Sequence, residues 1–202
     1  MNHGKPTVLM DVDGVVADLL GYTKKQLPHL FDSKTEIKSW YLEDNLSKEA
    51  FQECLELWKS KNFCLTMPTT PSAQEAVLAI HNKGYAIRWV TAPLPDAYHW
   101  MPERTQWLMN HFHGLAPHEH IIFATDKARI KGTVLIDDKP SNVELWAKDN
   151  PQGLAILFDA PWNRTHQLTR DNTRRALTWE HVLNLLDDPT GMFTKERFST
   201  WT

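Results

Sequence analysis

Short apolar runs that stop at polar or turn residues alternate along this chain with longer stretches in which apolar positions recur every three to four residues. The first kind predicts buried strands at Thr7–Asp11, Ala86–Val90, Ile121–Phe123, Thr133–Ile136 and Leu154–Phe158. The second predicts helices over Ser72–Lys83, Pro102–His113, Ser141–Lys148 and Trp179–Leu186. Strands that alternate with helices form parallel sheets, because each crossover needs a helix-sized connection. The expected class is therefore α/β. Ser72 with Glu75 three residues on reads as a capping box, and Gly84 after Lys83 as a helix stop. From Val15 to Thr70 no strand signal is strong, while helical turns recur, notably over Lys48–Lys59. That stretch reads as a small helical cap (15–70) inserted after the first strand of a core made of 1–14 and 71–202. The tail Asp187–Thr202 is polar, carries Pro189 and Gly191, and reads as loosely held.

The strand ends carry the chemistry. The run Val8-Leu-Met10 leads into Asp11-Val-Asp13-Gly14, and Val134-Leu-Ile136 leads into Asp137-Asp138. Ligands of open α/β sheets gather at the carboxyl ends of strands. Alternate residues of a strand share a face, so Asp11 and Asp13 fall on the same side. Carboxylates brought together there repel unless a cation or a shared proton relieves them. Thr91, followed by Ala92 and Pro93, ends another strand, and Lys127 lies about ten residues before Asp137. Each alone has an ordinary reading: Lys127 as a solvated lysine, Thr91 as a turn hydroxyl, Asp137 as a helix cap before Ser141. Only the ordered set lowers the weight of these ordinary readings.

Acid pair, Thr, Lys, acid pair, each beside a strand end, resembles the haloacid dehalogenase superfamily of phosphotransferases. The finer pattern resembles its 5'(3')-deoxyribonucleotidase family. Phe63-Cys-Leu-Thr-Met-Pro68 resembles that family's exit from the cap. Ile121-Ile-Phe-Ala-Thr-Asp126-Lys127 with Leu135-Ile-Asp137-Asp138-Lys139 is similar to its Lys and acid-pair block. Leu157-Phe158 leading to Asn163-Arg164 resembles its late strand and Asn-Arg loop, and Thr173-Arg174-Arg175 before Leu177-Thr-Trp179 its C-terminal helix.

The resemblance implies a Rossmann-like core with a parallel sheet flanked by helices. It implies Mg²⁺ as cofactor, Asp11 as the nucleophile that forms an aspartyl-phosphate, and Asp13 as the acid and base. Asp11, the main-chain carbonyl of Asp13 and Asp138 would hold the metal. Asp137 would orient Lys127 or a metal-bound water from behind. Thr91, Ala92 and Lys127 would hold the phosphate. The chain departs from the family at Ala92, where a hydroxyl is usual, and at Thr125, where a basic residue is frequent. Phosphate binding would then draw on backbone N–H groups, or on Arg129, Lys131 and Lys139. Leu19 stands where an aromatic is usual. Asp18 reads as a helix cap or a hinge of the insert.

Composition narrows the class. The chain has 202 residues, 42% apolar and 23% charged, which suits one compact enzyme. A formal charge of −3 carries no basic footprint for a long nucleic acid, and the resemblance implies a small nucleotide as the partner. The sequence shows no run that would span a bilayer and no leader signature, and two cysteines do not make a disulfide framework. A cytoplasmic setting is the expectation, and the family suggests a homodimer. Trp40, Tyr41 and Phe63, with Phe51, are candidates to stack on a base beside Leu19, although aromatics at helical spacing usually build a cap's own core. His111, His113, His118 and His120 mimic zinc spacing but fall between a helix end and a strand, where polar loop residues are expected. The competing functional readings are a phosphatase for another small ester or for nucleic-acid 3' ends, and a non-catalytic Mg²⁺ and nucleotide-binding module.

Overall fold

A computed structural model describes residues 5–31 and 35–187, so the expectation for the tail from residue 188 onward lies outside the described residues. The strands are β1 (Thr7–Met10), β2 (Ala86–Thr91), β3 (Ile121–Phe123), β4 (Val134–Asp137), β5 (Leu154–Phe158) and β6 (Thr173–Ala176). The helices are α1 (Leu19–Gln26), α2 (Lys48–Lys59), α3 (Ala73–Asn82), α4 (Trp100–His111), α5 (Pro140–Asp149) and α6 (Trp179–Leu186). All six strands run parallel in one sheet, in the order β3-β2-β1-β4-β5-β6. From β1 the chain winds outward through β2 and β3, then returns to the other side of β1 and winds out through β4, β5 and β6. The reversal between β1 and β4 opens a crevice at their carboxyl ends, where sheets of this kind bind ligands.

The apolar runs are continuous because both sheet faces are covered. Val8, Met10, Ile87, Trp89, Val134, Ile136 and Ile156 pack with residues of α3, α4 and α6. Leu9, Val90, Leu135, Ala155 and Leu157 pack on the opposite face against Val143, Trp146 and Ala147 of α5. Alternation along each strand sorts these side chains to the two faces.

Four local readings need correction. The sixth strand, β6, has the polar sequence Thr-Arg-Arg-Ala, and its pairing with β5 rather than its hydrophobicity makes it a strand. The capping box at Ser72 does not form. Ser72 has left-handed backbone (φ 60°) and makes no side-chain cap bond, whereas a capping side chain needs the extended conformation. Helix α4 starts two residues before the predicted Pro102. The predicted Asp11 end of β1 also retreats by one residue, to Met10. Gly84 does end α3, with φ +93° and its N–H bonded to the carbonyl of His81.

Between β1 and α3 the chain makes a helical excursion. Ser47 caps α2 through Ala50 N–H at 3.2 Å, and Asp18 caps α1 through Gly21 N–H at 2.9 Å. Ile37, Leu42 and Cys54, with Leu20, Leu27, Phe51 and Trp58 around them, form an apolar cluster apart from the two sheet faces. The two ends of the excursion are laced together. Asp18 N–H donates to Pro68 O at 3.0 Å and Thr70 N–H to Val16 O at 2.9 Å. The Thr70 hydroxyl adds a bond to Val15 O at 2.6 Å. Cys54 and Cys64 are buried free thiols, and no described helix is long and apolar enough to cross a membrane.

Candidate active site

Parallel register builds the centre of the crevice. Met10 pairs with Ile136, and Asp11 N–H donates to Ile136 O at 2.9 Å, so Asp11 stands abreast of Asp137. Asp138 follows at once. Carboxylate oxygens of Asp11, Asp137 and Asp138 lie within 4.8 Å of one another, and all three residues are buried. Lys127, in the turn after β3 and 4% exposed, answers part of this charge. Its ammonium lies 2.6 Å from Asp11 Oδ1 and 2.9 Å from Asp137 Oδ2. An ammonium has three donors, so one remains for a ligand.

Electrostatics follow from burial and crowding. Burial, then the Asp137 charge, push the Asp11 carboxyl up to about 7 against the pull of Lys127. Burial and the charges of Asp11 and Asp137 hold Asp138 well above the usual carboxylate range. For Lys127 burial works downward, but the attraction of Asp11 and Asp137 outweighs it and keeps the ammonium protonated.

Asp137 is saturated from behind. Its oxygens accept from Lys127, from Lys139 N–H at 2.9 Å and from the Asn142 amide at 3.1 and 3.2 Å. Asp138 differs, since its buried Oδ1 has no hydrogen-bond partner among the described residues. A buried carboxyl oxygen without a donor, facing two further acids, suits a divalent cation held by oxygen ligands. Gly14 leaves room for this arrangement. It has φ +79°, and a Cβ there would lie 2.2 Å from Asp138 Oδ2. Asn163, in the Asn-Arg loop after β5, braces the acid pair by donating to Asp138 O at 2.8 Å and Phe158 O at 2.7 Å.

A cavity of about 580 Å³ opens over these acids and reaches into the helical excursion. Asp11, Asp13, Ala92, Lys127 and Asp138 lie at its polar end. Leu19, Trp40, Tyr41, Phe51, Trp58, Trp100 and Trp162 are among its apolar walls. Thr91 precedes Ala92 at the end of β2, fully buried, and its hydroxyl has no partner among the described residues. Lys139 spans the two ends, its ammonium 3.4 Å from the centre of the Trp40 ring and 4.7 Å from that of Tyr41.

Several candidates are not in the cavity. Phe63 is buried in the core, with its ring centre 5.2 Å from that of Tyr22, and does not line the pocket. The chain leaving α2 turns that aromatic into the sheet-facing packing. Arg129 pairs with Asp126 in solvent. Lys131 bonds to Asp149 O and Asn150 Oδ1, in a second hollow away from the acids. Of the three extra cations considered for phosphate, Lys139 alone lines the cavity. No histidine joins the carboxylate group, the one cluster of potential metal ligands among the described residues.

One residue at the site gave no sign in the sequence. Arg104, fully buried on α4, reaches Asp13 and forms an ion pair with its Oδ1. An arginine in an amphipathic helix ordinarily faces water. Trp100 and Trp107, four residues before it and three after, show the buried stripe of α4, but not that Arg104 shares it.

A family described as "5' nucleotidase, deoxy (Pyrimidine), cytosolic type C protein" has a model that matches residues 5–189. The chain belongs to that family. Among nucleotidase relatives, the human "5'(3')-deoxyribonucleotidase, cytosolic type" is 26% identical over 201 residues, which cover 94% of this chain and 97% of that one. The mouse "5'(3')-deoxyribonucleotidase, mitochondrial" is 29% identical over 181 residues, covering 85% of this chain and 80% of its own. A crystal structure of a haloacid dehalogenase-like hydrolase from Xanthomonas campestris shares the fold. Its TM-score is 0.56 at 14% identity, over 94% of this chain and 99% of that one. The nucleotidase family match spans both β1 with its acids and the helical excursion, so it covers both ends of the cavity.

Proposed function

We propose that this member of the nucleotidase family hydrolyses deoxynucleoside monophosphates to nucleoside and phosphate, with Mg²⁺ as cofactor. The observation that carries the reading is one cavity with buried acids and Lys127 at one end and aromatic walls at the other. Such a cavity suits a small molecule that joins a phosphate to a flat apolar ring. The carboxylates of Asp11 and Asp138, with the Asp13 carbonyl, would hold the ion. Bound there, Mg²⁺ would neutralise phosphate charge that otherwise repels an anionic nucleophile.

The chain's own groups divide the remaining work. An Asp11 oxygen bonds to phosphorus as the bond from phosphorus to the nucleoside oxygen breaks. Asp13 gives that oxygen a proton. It then takes one from the water whose oxygen attacks phosphorus and releases Asp11. The unpartnered Thr91 hydroxyl and the third Lys127 proton hold the non-transferring phosphate oxygens, while Asp137 keeps Lys127 in place. The segment 15–70 acts as a cap over the core 1–14 and 71–202. Its Trp40 and Tyr41, with Leu19, form the wall for the base. By family likeness the working species is a cytoplasmic homodimer, which sizing chromatography with light scattering checks.

Phosphate release from 5'- and 3'-monophosphates, deoxy and ribo, with Mg²⁺ or chelator, tests the reading. Chelator-sensitive release strongest on deoxynucleotides supports it. Activity confined to an aryl phosphate moves the substrate to another small ester. Mg²⁺-dependent nucleotide binding without hydrolysis identifies a binding module instead.

A further inference from the structure

Arg104 is an expensive residue to place where it lies. Its side chain has no solvent exposure, and among the described residues its Nε and Nη1 have no hydrogen-bond partner. The guanidinium carbon lies 5.1 Å from the centre of the Trp100 ring and 5.3 Å from that of Trp107. Trp107 is itself fixed, donating its indole N–H to Met67 O at 2.6 Å. Two indoles thus hold a planar fork whose one hydrogen bond goes from Nη2 to Asp13 Oδ1. Replacing a buried ion pair by apolar groups is often neutral or stabilising, so this pair, buried on the Arg104 side and partly exposed at Asp13, is a weak source of stability.

The consequence appears at Asp13. Three acids at the strand ends share a cluster, and Asp13 does not join it. Its Oδ1 is taken by Arg104, and Oδ2 has no partner among the described residues while the residue lines the cavity. The geometry points to Arg104 as a positioning residue for catalysis: it fixes Asp13 by one oxygen so that the other is presented to the leaving oxygen of the substrate. The assignment rests on the phosphatase reading above. In the step concerned, the Asp11 oxygen-to-phosphorus bond forms, the bond to the leaving oxygen breaks, and the Asp13 Oδ2 proton passes to that oxygen. Helix α4 also receives the exit of the cap, since Glu103 accepts from Asn62 N–H at 2.7 Å and Trp107 donates to Met67. The fork is therefore carried by a helix anchored on both sides.

The test is leaving-group dependence in kcat/KM, which reports the steps up to phosphoenzyme formation. A deoxynucleoside 5'-monophosphate needs a proton on its departing alkoxide, and 4-nitrophenyl phosphate scarcely does. Arg104→Met, which keeps the packing between the indoles, is expected to lower kcat/KM on the nucleotide by about 10²-fold or more, in the range of general acid catalysis. On the aryl ester it lowers it less than about ten-fold, the part left without proton transfer. Arg104→Lys recovers part of the difference, and adding Arg104→Met to Asp13→Asn costs nothing further. Equal losses on both substrates, or an unchanged substrate ratio, overturn the assignment. Should Arg104→Met not fold, a wild-type ratio in Arg104→Lys does the same. A wild-type chain that hydrolyses neither ester overturns the phosphatase reading itself, and the assignment with it.

Discussion

Replacing Asp138 by Asn should make the metal-free protein more stable while abolishing its response to Mg²⁺. Carboxylate oxygens of Asp138, Asp11 and Asp137 lie within 4.8 Å of one another, and all three residues are buried. At that separation and an effective dielectric of 20, each repulsion on Asp138 is worth about 3 kcal/mol. Lys127 offsets part of this, and a carboxyl held well above its usual range relieves more by retaining its proton. A net gain of about 2–3 kcal/mol remains, which raises the melting temperature by roughly 4–12 °C in a chain of this size. The wild type instead gains from the ion, about 3 kcal/mol at a hundred-fold excess over the dissociation constant. Thermal melts followed by circular dichroism, in chelator and in Mg²⁺, read both effects. In chelator Asp138→Asn melts higher; in Mg²⁺ the wild type catches up and the variant does not move. A variant that melts lower in chelator, or that keeps the Mg²⁺ shift, refutes the view of this cluster as repulsion held for a cation.

Other outcomes follow from the same geometry. Because the folded state raises Asp11 from 3.8 to about 7, it binds a proton there more tightly than the unfolded chain does. Metal-free stability should therefore fall as pH rises from about 4 to about 7 and level off above, with Mg²⁺ flattening the slope; urea titrations across that range check it. Gly14→Ala places a Cβ against Asp138 at a backbone angle that L residues avoid, so it should cost about 1–3 kcal/mol and most of the activity. Lys127→Met leaves buried acids without their cation and should destabilise the metal-free chain by about 3–5 kcal/mol. Added Mg²⁺ should restore more of the stability in that variant than in wild type. Trp40→Ala removes a cavity wall and the nearer of the two rings under the Lys139 ammonium. It should raise KM for nucleotides by roughly ten-fold or more, on the scale of one stacking contact, and leave an aryl phosphate nearly untouched.

What could be read from the sequence was whatever depends on neighbours along the chain. Val8-Leu-Met10 before Asp11, and Val134-Leu-Ile136 before Asp137, announce strand ends with acids because periodicity and composition change together there. Asp18 caps α1 for the same local reason. Strand β6 was hidden because Thr173-Arg-Arg-Ala176 owes its conformation to β5, a partner the local pattern does not reveal. Ser72 has the residue type and spacing of a cap, but its backbone lies in the left-handed region, which the local pattern does not reveal. The aromatics could not be sorted by spacing. Trp89, Trp107 and Trp146 went to the core, Trp40, Trp100 and Trp162 to the cavity wall, and Phe63 to the core. Arg104 shows the limit most clearly, since its partner Asp13 is 91 positions away.

The laced ends of the helical excursion have a consequence for how such proteins diversify. Residues 15–18 leave the sheet and residues 68–70 return to it side by side, joined by three hydrogen bonds. Whatever hangs from that junction is, for the sheet, a closed loop, and lengthening a loop adds free energy only logarithmically with its length. The strand-end acids can thus stay fixed while the segment above them is exchanged. A chimera that swaps residues 19–67 for another lineage's insert would inherit new tastes and keep its old chemistry.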